Sequence, residues 1–472
     1  MHRAFPEEEE RMKQFLQLKR RSLFAVSAIA LVALVIAACA PAAAPTSAPA
    51  PTSAPAPTSA PQATSAPAPT AAPAAGRVIK IGYVSPQTGP LAPFGEADKY
   101  VLEQMQKQFA NGIEIAGVKH PVEIIVKDTQ SDPNHASEVA ADLITKDQVD
   151  LILVESTPET TNPVSDQCEL NQVPCISTVA PWQAWFIGRG GEPGKTEFKY
   201  TYHFFWGLED IIGVFSDLWT QVPNNKVVGG LWPNDGDGNV WSNPEVGFPP
   251  VLTKNGYTIV DPGRYQNLKD DFSAEIGQFK SKNAEIITGV VIPPDLGTIV
   301  TQMSQQDFKP KMVTVGKAAL FPSTVESISN GLGDGLTTEI WWTPNHPFKS
   351  SLTGQSAREL AEAFEKDTGK QWTQPLGFTH ALFEVAADAL KRTSNIDDKQ
   401  AIVNAIKATK LETIVGPIDW SSGPVPNVAK TPLVGGQWVK GAKFPFDLVI
   451  TSNTLAPNIP KGGETKAMPW GQ

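Results

Sequence analysis

The densest run of oxygen donors in the chain is Asn234-Asp235-Gly236-Asp237-Gly238-Asn239. Alternating side-chain oxygens separated by glycine are what a calcium loop needs. No glutamate stands where such a loop closes, and the run follows a strand-like segment, Lys226 to Trp232, rather than a helix. A turn is therefore expected instead of a metal site, with Asp235 free to accept a hydrogen bond from a ligand. Catalytic patterns are missing elsewhere. Gly354-Gln355-Ser356-Ala357-Arg358 lacks the last glycine of a nucleophile elbow. Walker A, G-x-G-x-x-G and HExxH patterns are absent, and the six histidines are scattered. The expectation is a protein that is not an enzyme and uses no cofactor and no metal. Trp182, Trp185, Trp206 and Trp232 lie near the ends of strand-like runs or at a crossover. Their rings could stack on a flat aromatic or sugar-like ligand, although packing in a core is the commoner use of tryptophan.

The elements that would position these groups begin well inside the chain. Lys19, Arg20 and Arg21 precede an apolar run from Leu23 to Ala38, the pattern of a secretory signal over residues 1–38. Ile36-Ala37-Ala38-Cys39 resembles a bacterial lipobox, which makes Cys39 the expected lipidation site; an uncleaved signal anchor is the alternative. The acidic Glu7 to Glu10 sits oddly before a signal, and Met12 opens a more ordinary basic leader. Residues 39–76 are almost entirely Ala, Pro, Thr and Ser, too poor in large apolar side chains to form a core. Extended, that linker would reach roughly 100 Å. The chain has 472 residues, enough for two or three globular units, and its net charge of −10 gives no electrostatic support for nucleic-acid binding.

From Val78 on, strands and helices alternate. Val78 to Val84, Val122 to Val126, Val149 to Val154 and Val173 to Thr178 read as buried strands. Amphipathic segments separate them, one opened by Ser131-Asp132-Pro133 as a start signal. The pattern restarts near Gly207, with strands at Lys226 to Trp232, Tyr257 to Val260, Glu285 to Ile292 and Met312 to Val315. Beyond Gly335 a strand-like TTEIWW is followed by three helical segments that have no strands between them and must cover an earlier lobe. The fold class is α/β: two doubly wound parallel-sheet lobes with a cleft between them, preceded by a disordered tether. Cys168 and Cys175 fall at a helix end and the next strand's start, and are read as a disulfide or as two buried free thiols.

KIGYVSPQTGPLAPFG (Lys80 to Gly95) resembles the opening of the leucine/isoleucine/valine-binding type of type I periplasmic solute-binding proteins. TTNPVSD (Thr160 to Asp166), DFSAEIGQFK (Asp271 to Lys280), HALFEVAADALKRT (His380 to Thr393) and IVGPIDW (Ile414 to Trp420) continue the likeness in family order. The resemblance implies three crossovers, with lobe one at 77–205 and 337–417, lobe two at 206–336 and 418–458, and a tail at 459–472. It implies Phe94 as an aromatic ligand contact, and a carboxylate clamp among Ser156, Thr157 and Pro158 and at Ala180. Pro181 stands where the clamp should have a threonine, and proline offers neither N–H nor hydroxyl. Lys317 stands where the family pairs an acidic residue with an α-ammonium. Both departures disfavour an ordinary branched-chain amino acid and favour an acidic, aromatic or amide-like ligand, bound with help from Trp182, Trp206 and Asp235.

The function the resemblance implies is that of an exported, monomeric receptor. It would be lipid-anchored on the outer face of the cytoplasmic membrane, at the cell surface or in the periplasm, and deliver a small molecule to an ABC permease. A ligand sensor of the same fold feeding a signalling partner, or an amino-acid receptor with a rearranged clamp, is the alternative.

Overall fold

The computed structural model describes residues 76–471; the expected signal segment, the expected lipidation site Cys39 and most of the linker lie outside the described residues. Two sheets organise the chain. In the first, the spatial order is Val122–Asp128, Ile79–Ser85, Leu151–Glu155, Cys175–Thr178, Thr201–Phe204 and Val428–Ala429, all parallel. In the second, parallel strands follow as Arg264–Tyr265, Val227–Pro233, Ile286–Val291, Met312–Lys317 and Thr337–Ile340. Val434–Lys440 and Phe446–Ser452 then close its edge as an antiparallel pair. Each sheet reverses its strand order beside its first strand. In open α/β sheets the crevice outside the strands' carboxyl ends at that reversal is where ligands bind.

Local sequence explains the elements that matter. Ile79, Ile81, Tyr83 and Val84 are fully buried, as a strand covered on both faces demands. Pro86 and Gly89 end it; Gly89 has φ +86°, and a Cβ there would lie 2.6 Å from the Gln130 carbonyl. A short 3-10 helix, Ala92–Ala97, carries Phe94 into the core before the helix Asp98–Gln108 begins. The start signal at Asp132 works as read, its carboxylate accepting the His135 N–H at 2.8 Å. Among the returning helices, Ala357–Thr368 opens on a Ser356/Glu359 capping box. The helix Pro375–Arg392 lies against the first sheet, with Phe383 stacked on Tyr83 and Phe378 on Phe204.

The chain passes between sheets after Phe204, after Ile340 and after Ala429, which moves two expected boundaries. Thr337–Ile340, assigned to lobe one, pairs with Met312–Lys317 and Val434–Lys440 in the second sheet. Val428–Ala429, assigned to lobe two, edges the first sheet beside His203 and Phe204. A two-residue strand has no period to read, and TTEIWW is buried throughout, so neither assignment had a sequence signal. The tail folds back onto the second lobe, where the Trp470 indole donates to the Pro310 carbonyl at 2.7 Å. No helix among the described residues is long and apolar enough to cross a membrane.

Candidate functional site

The carboxyl ends of the two sheets face each other across a narrow cavity of about 30 Å³. The first lobe and its crossover supply Phe94, Thr157, Val179, Pro181, Phe205 and Trp206. Facing them are Asp237 and Trp241 from the short helix Gly236–Trp241, with Val290, Lys317, Leu320, Glu339 and Trp341. Gly316 lets this wall form, because a Cβ there would sit 2.7 Å from the Trp241 ring. Four lining or adjacent residues hold positive φ without being glycine: Ser156 (+89°), Thr157 (+44°), Val179 (+60°) and Lys317 (+69°). Such backbone is costly for a side chain with a Cβ, most of all a β-branched one, and its concentration at one cleft marks the site.

The polar groups divide sharply. Lys317 is buried, its ammonium 2.9 Å from Asp237 Oδ2, 3.3 Å from Glu159 Oε2 and 3.6 Å from Asp235 Oδ2. Burial alone would lower its pKa, but Asp235, Asp237 and Glu159 hold it well above the ordinary value. Three carboxylates share that one ammonium, and burial pushes the Asp237 carboxyl up to about 7. Burial likewise raises Glu339 to about 7, although its Oε1 accepts the Lys317 backbone N–H at 3.3 Å. The indole N–H groups of Trp206, Trp241 and Trp341, the Thr157 hydroxyl and Asp237 Oδ1 are buried with no partner in the protein. The cleft therefore offers three unspent indole donors and one unspent carboxylate oxygen among aromatic walls.

Of the residues singled out by sequence, the structure brings Phe94, Thr157, Trp206 and Lys317 to the cavity. Ser156 is buried just before it. Ala180 lies behind it, its carbonyl accepting from His203 Nε2 at 2.7 Å. Trp182 is turned to the crossover, where its indole donates to Glu209 at 3.2 Å. Asp235 is not a lining residue; it caps Gly238 at 2.8 Å and accepts from Asn267 at 2.9 Å. Trp185 stacks on His203 and Trp232 packs on Phe248, so both belong to cores. Lys317 is not a free cation for a ligand carboxylate, because Glu159, Asp235 and Asp237 already share its ammonium, and their approach is not visible in the sequence.

Cys168 and Cys175 are both buried free thiols, the second of the two alternatives. Among the described residues no group of three or more His, Cys, Asp or Glu could hold a metal ion. Asp237, Trp241, Glu339 and Trp341 were missed. A faint signal existed: Asp237 and Trp241 are four apart on one helix face, and Glu339 and Trp341 two apart at a strand end.

Two α/β lobes of like topology, facing each other across a cavity built from their strand ends, define a binding protein that encloses a small solute. The periplasmic binding protein family matches residues 78–442, and the chain belongs to that family. Its relatives include the Leu/Ile/Val-binding protein homolog 3 of Brucella melitensis, 23% identical over 357 residues, 73% of this chain and 87% of that one. The fold is shared with a leucine-binding protein, LivK, from Thermotoga maritima (TM-score 0.64, 20% identity, 80% of this chain and 99% of that one). It is shared equally with a solute-binding protein of an ABC transporter from Rhodopseudomonas palustris in complex with 3,4-dihydroxybenzoic acid (TM-score 0.63, 19% identity, 80% and 99%).

Proposed function

We propose that this chain is the extracytoplasmic receptor of an ABC importer and that it takes a small, flat solute, aromatic or amide-like, rather than a branched-chain amino acid. The observation that carries the reading is the set of unpartnered indole N–H groups of Trp206, Trp241 and Trp341 beside the free Asp237 Oδ1. A carbonyl oxygen would satisfy the indoles, an N–H or O–H would satisfy Asp237, and the rings would cover the faces between. An acidic ligand loses the support Lys317 lent it, since that ammonium is held by three carboxylates. Export and lipidation at Cys39, followed by the Pro/Ala-rich linker, would hold the lobes within reach of the permease.

Thermal-shift screening of the purified protein against amides, neutral aromatics, aromatic acids, amino acids and sugars tests this reading. An amide or neutral aromatic should raise Tm in proportion to the logarithm of its concentration. Stabilisation by leucine, isoleucine or valine with none by amides or aromatics would overturn it, and turnover of a hit would point to an enzyme.

A further inference from the structure

Glu159 lies in the first turn of the helix Thr157–Asn171, in the first lobe, yet both of its oxygens are engaged by the second. Oε1 accepts the Gly236 backbone N–H at 3.1 Å, and Oε2 lies 3.3 Å from Lys317 Nζ. The approach is close: a Cβ on Gly236 would lie 3.2 Å from Pro158 Cβ and 3.4 Å from Glu159 Oε1. Glu159 is not one of the cavity's lining residues, although its partner Lys317 is. The ion pair is also mostly withdrawn from water, the Lys317 side chain being 4% exposed and that of Glu159 22%. An ion pair so placed is screened far less than a surface one.

We propose that Glu159 is a cross-cleft latch, holding the lobes together through Gly236 and Lys317 whether or not a solute is present, so that entry requires this carboxylate to let go. The latch rests on the cleft being the solute site, but its mechanism needs no solute. When the lobes part, Lys317 keeps Asp235 and Asp237 as partners within its own lobe. Of its three carboxylates only Glu159 is given up, and the Phe94–Phe321 ring contact parts with it. That makes the latch reversible, since opening strands no buried ammonium without a counter-charge.

Spin labels at Glu138→Cys in the first lobe and Asp307→Cys in the second sit on side chains 75% and 83% exposed. Double electron–electron resonance on the ligand-free protein should show one dominant short distance. Glu159→Gln keeps an acceptor for Gly236 but abolishes the ion pair, and should raise the ratio of open to closed forms on the order of tenfold. Glu159→Asp, which is too short to reach both partners, should shift the ratio the same way and serves if the Gln variant folds poorly. A mainly open unsubstituted protein, or distance distributions unchanged in both variants, would overturn the latch. Failure of the latch would leave any thermal-shift hit standing, and absence of hits would leave the distance measurement unaffected.

Discussion

Phe94 and Phe321 meet edge to face with ring centroids 4.8 Å apart, one ring from the first opening turn of the chain and the other from the second lobe. Both rings are buried, and the Phe94 side of the pair also walls the cavity. The contact is thus a structural joint and a site wall at once. Phe94→Ala should cost about 3 kcal/mol, toward the low end for a buried phenylalanine because one flank already borders a cavity. Urea denaturation measures it; a loss below about 1 kcal/mol would mean that the lobes do not rest on this pair.

Lys317→Met should be more damaging than its size suggests. Removing the ammonium leaves Asp235, Asp237 and Glu159 close together without a counter-charge, a loss of about 3–5 kcal/mol. Adding Asp237→Asn to Lys317→Met should restore part of that stability, because one buried carboxylate is gone. A double variant no more stable than the single one would argue against the shared-ammonium picture.

Glu155 is fully buried at the end of its strand, and neither carboxylate oxygen has a partner. Burial first, then the charge of Asp98, hold its pKa well above the usual range. A pKa raised by folding stabilises the protein below the unfolded value, and that stability is lost as pH rises toward the folded one. Glu155→Gln does not titrate, so it should gain on the wild-type protein from about pH 5 upward, by at most about 1.4 kcal/mol per pH unit. Unfolding free energies compared across that range should diverge, whereas a constant difference would rule out a buried neutral acid here.

The thiols of Cys168 and Cys175 should resist alkylation in the folded protein and react fully once it is unfolded, with no reductant needed. Burial pushes the Cys168 thiol pKa up, and Cys175 beside it adds to the effect, so little nucleophilic thiolate forms. Peptide mass spectrometry after iodoacetamide treatment distinguishes the cases, since a disulfide would leave both residues unlabelled even in denaturant.

How far the fold could be read follows from strand length and burial. Ile79–Ser85, Leu151–Glu155 and Ile286–Val291 are apolar runs bounded by turn residues, and their signals survive without any neighbours. Thr201–Phe204 and Val428–Ala429 are short and exist only because a sheet edge waits for them. In the site, Phe94 and Lys317 were legible only through the family resemblance, which marks those positions beside recognisable strands. Glu339 and Trp341 were not, because a continuously buried strand shows no alternation to say which side faces the cleft.

By itself the sequence determined the α/β alternation, the two lobes, the Pro/Ala-rich lead-in and the likeness to solute-binding proteins, all of which rest on local pattern and order along the chain. The charge of the site was decided only by tertiary structure. Lys317 reads as a lone cation in sequence, but folding brings it Glu159 from 158 residues away, with Asp235 and Asp237 beside it. Electrostatic energy depends on distance in space and on exclusion of water, and neither is written in the spacing of residues along a chain.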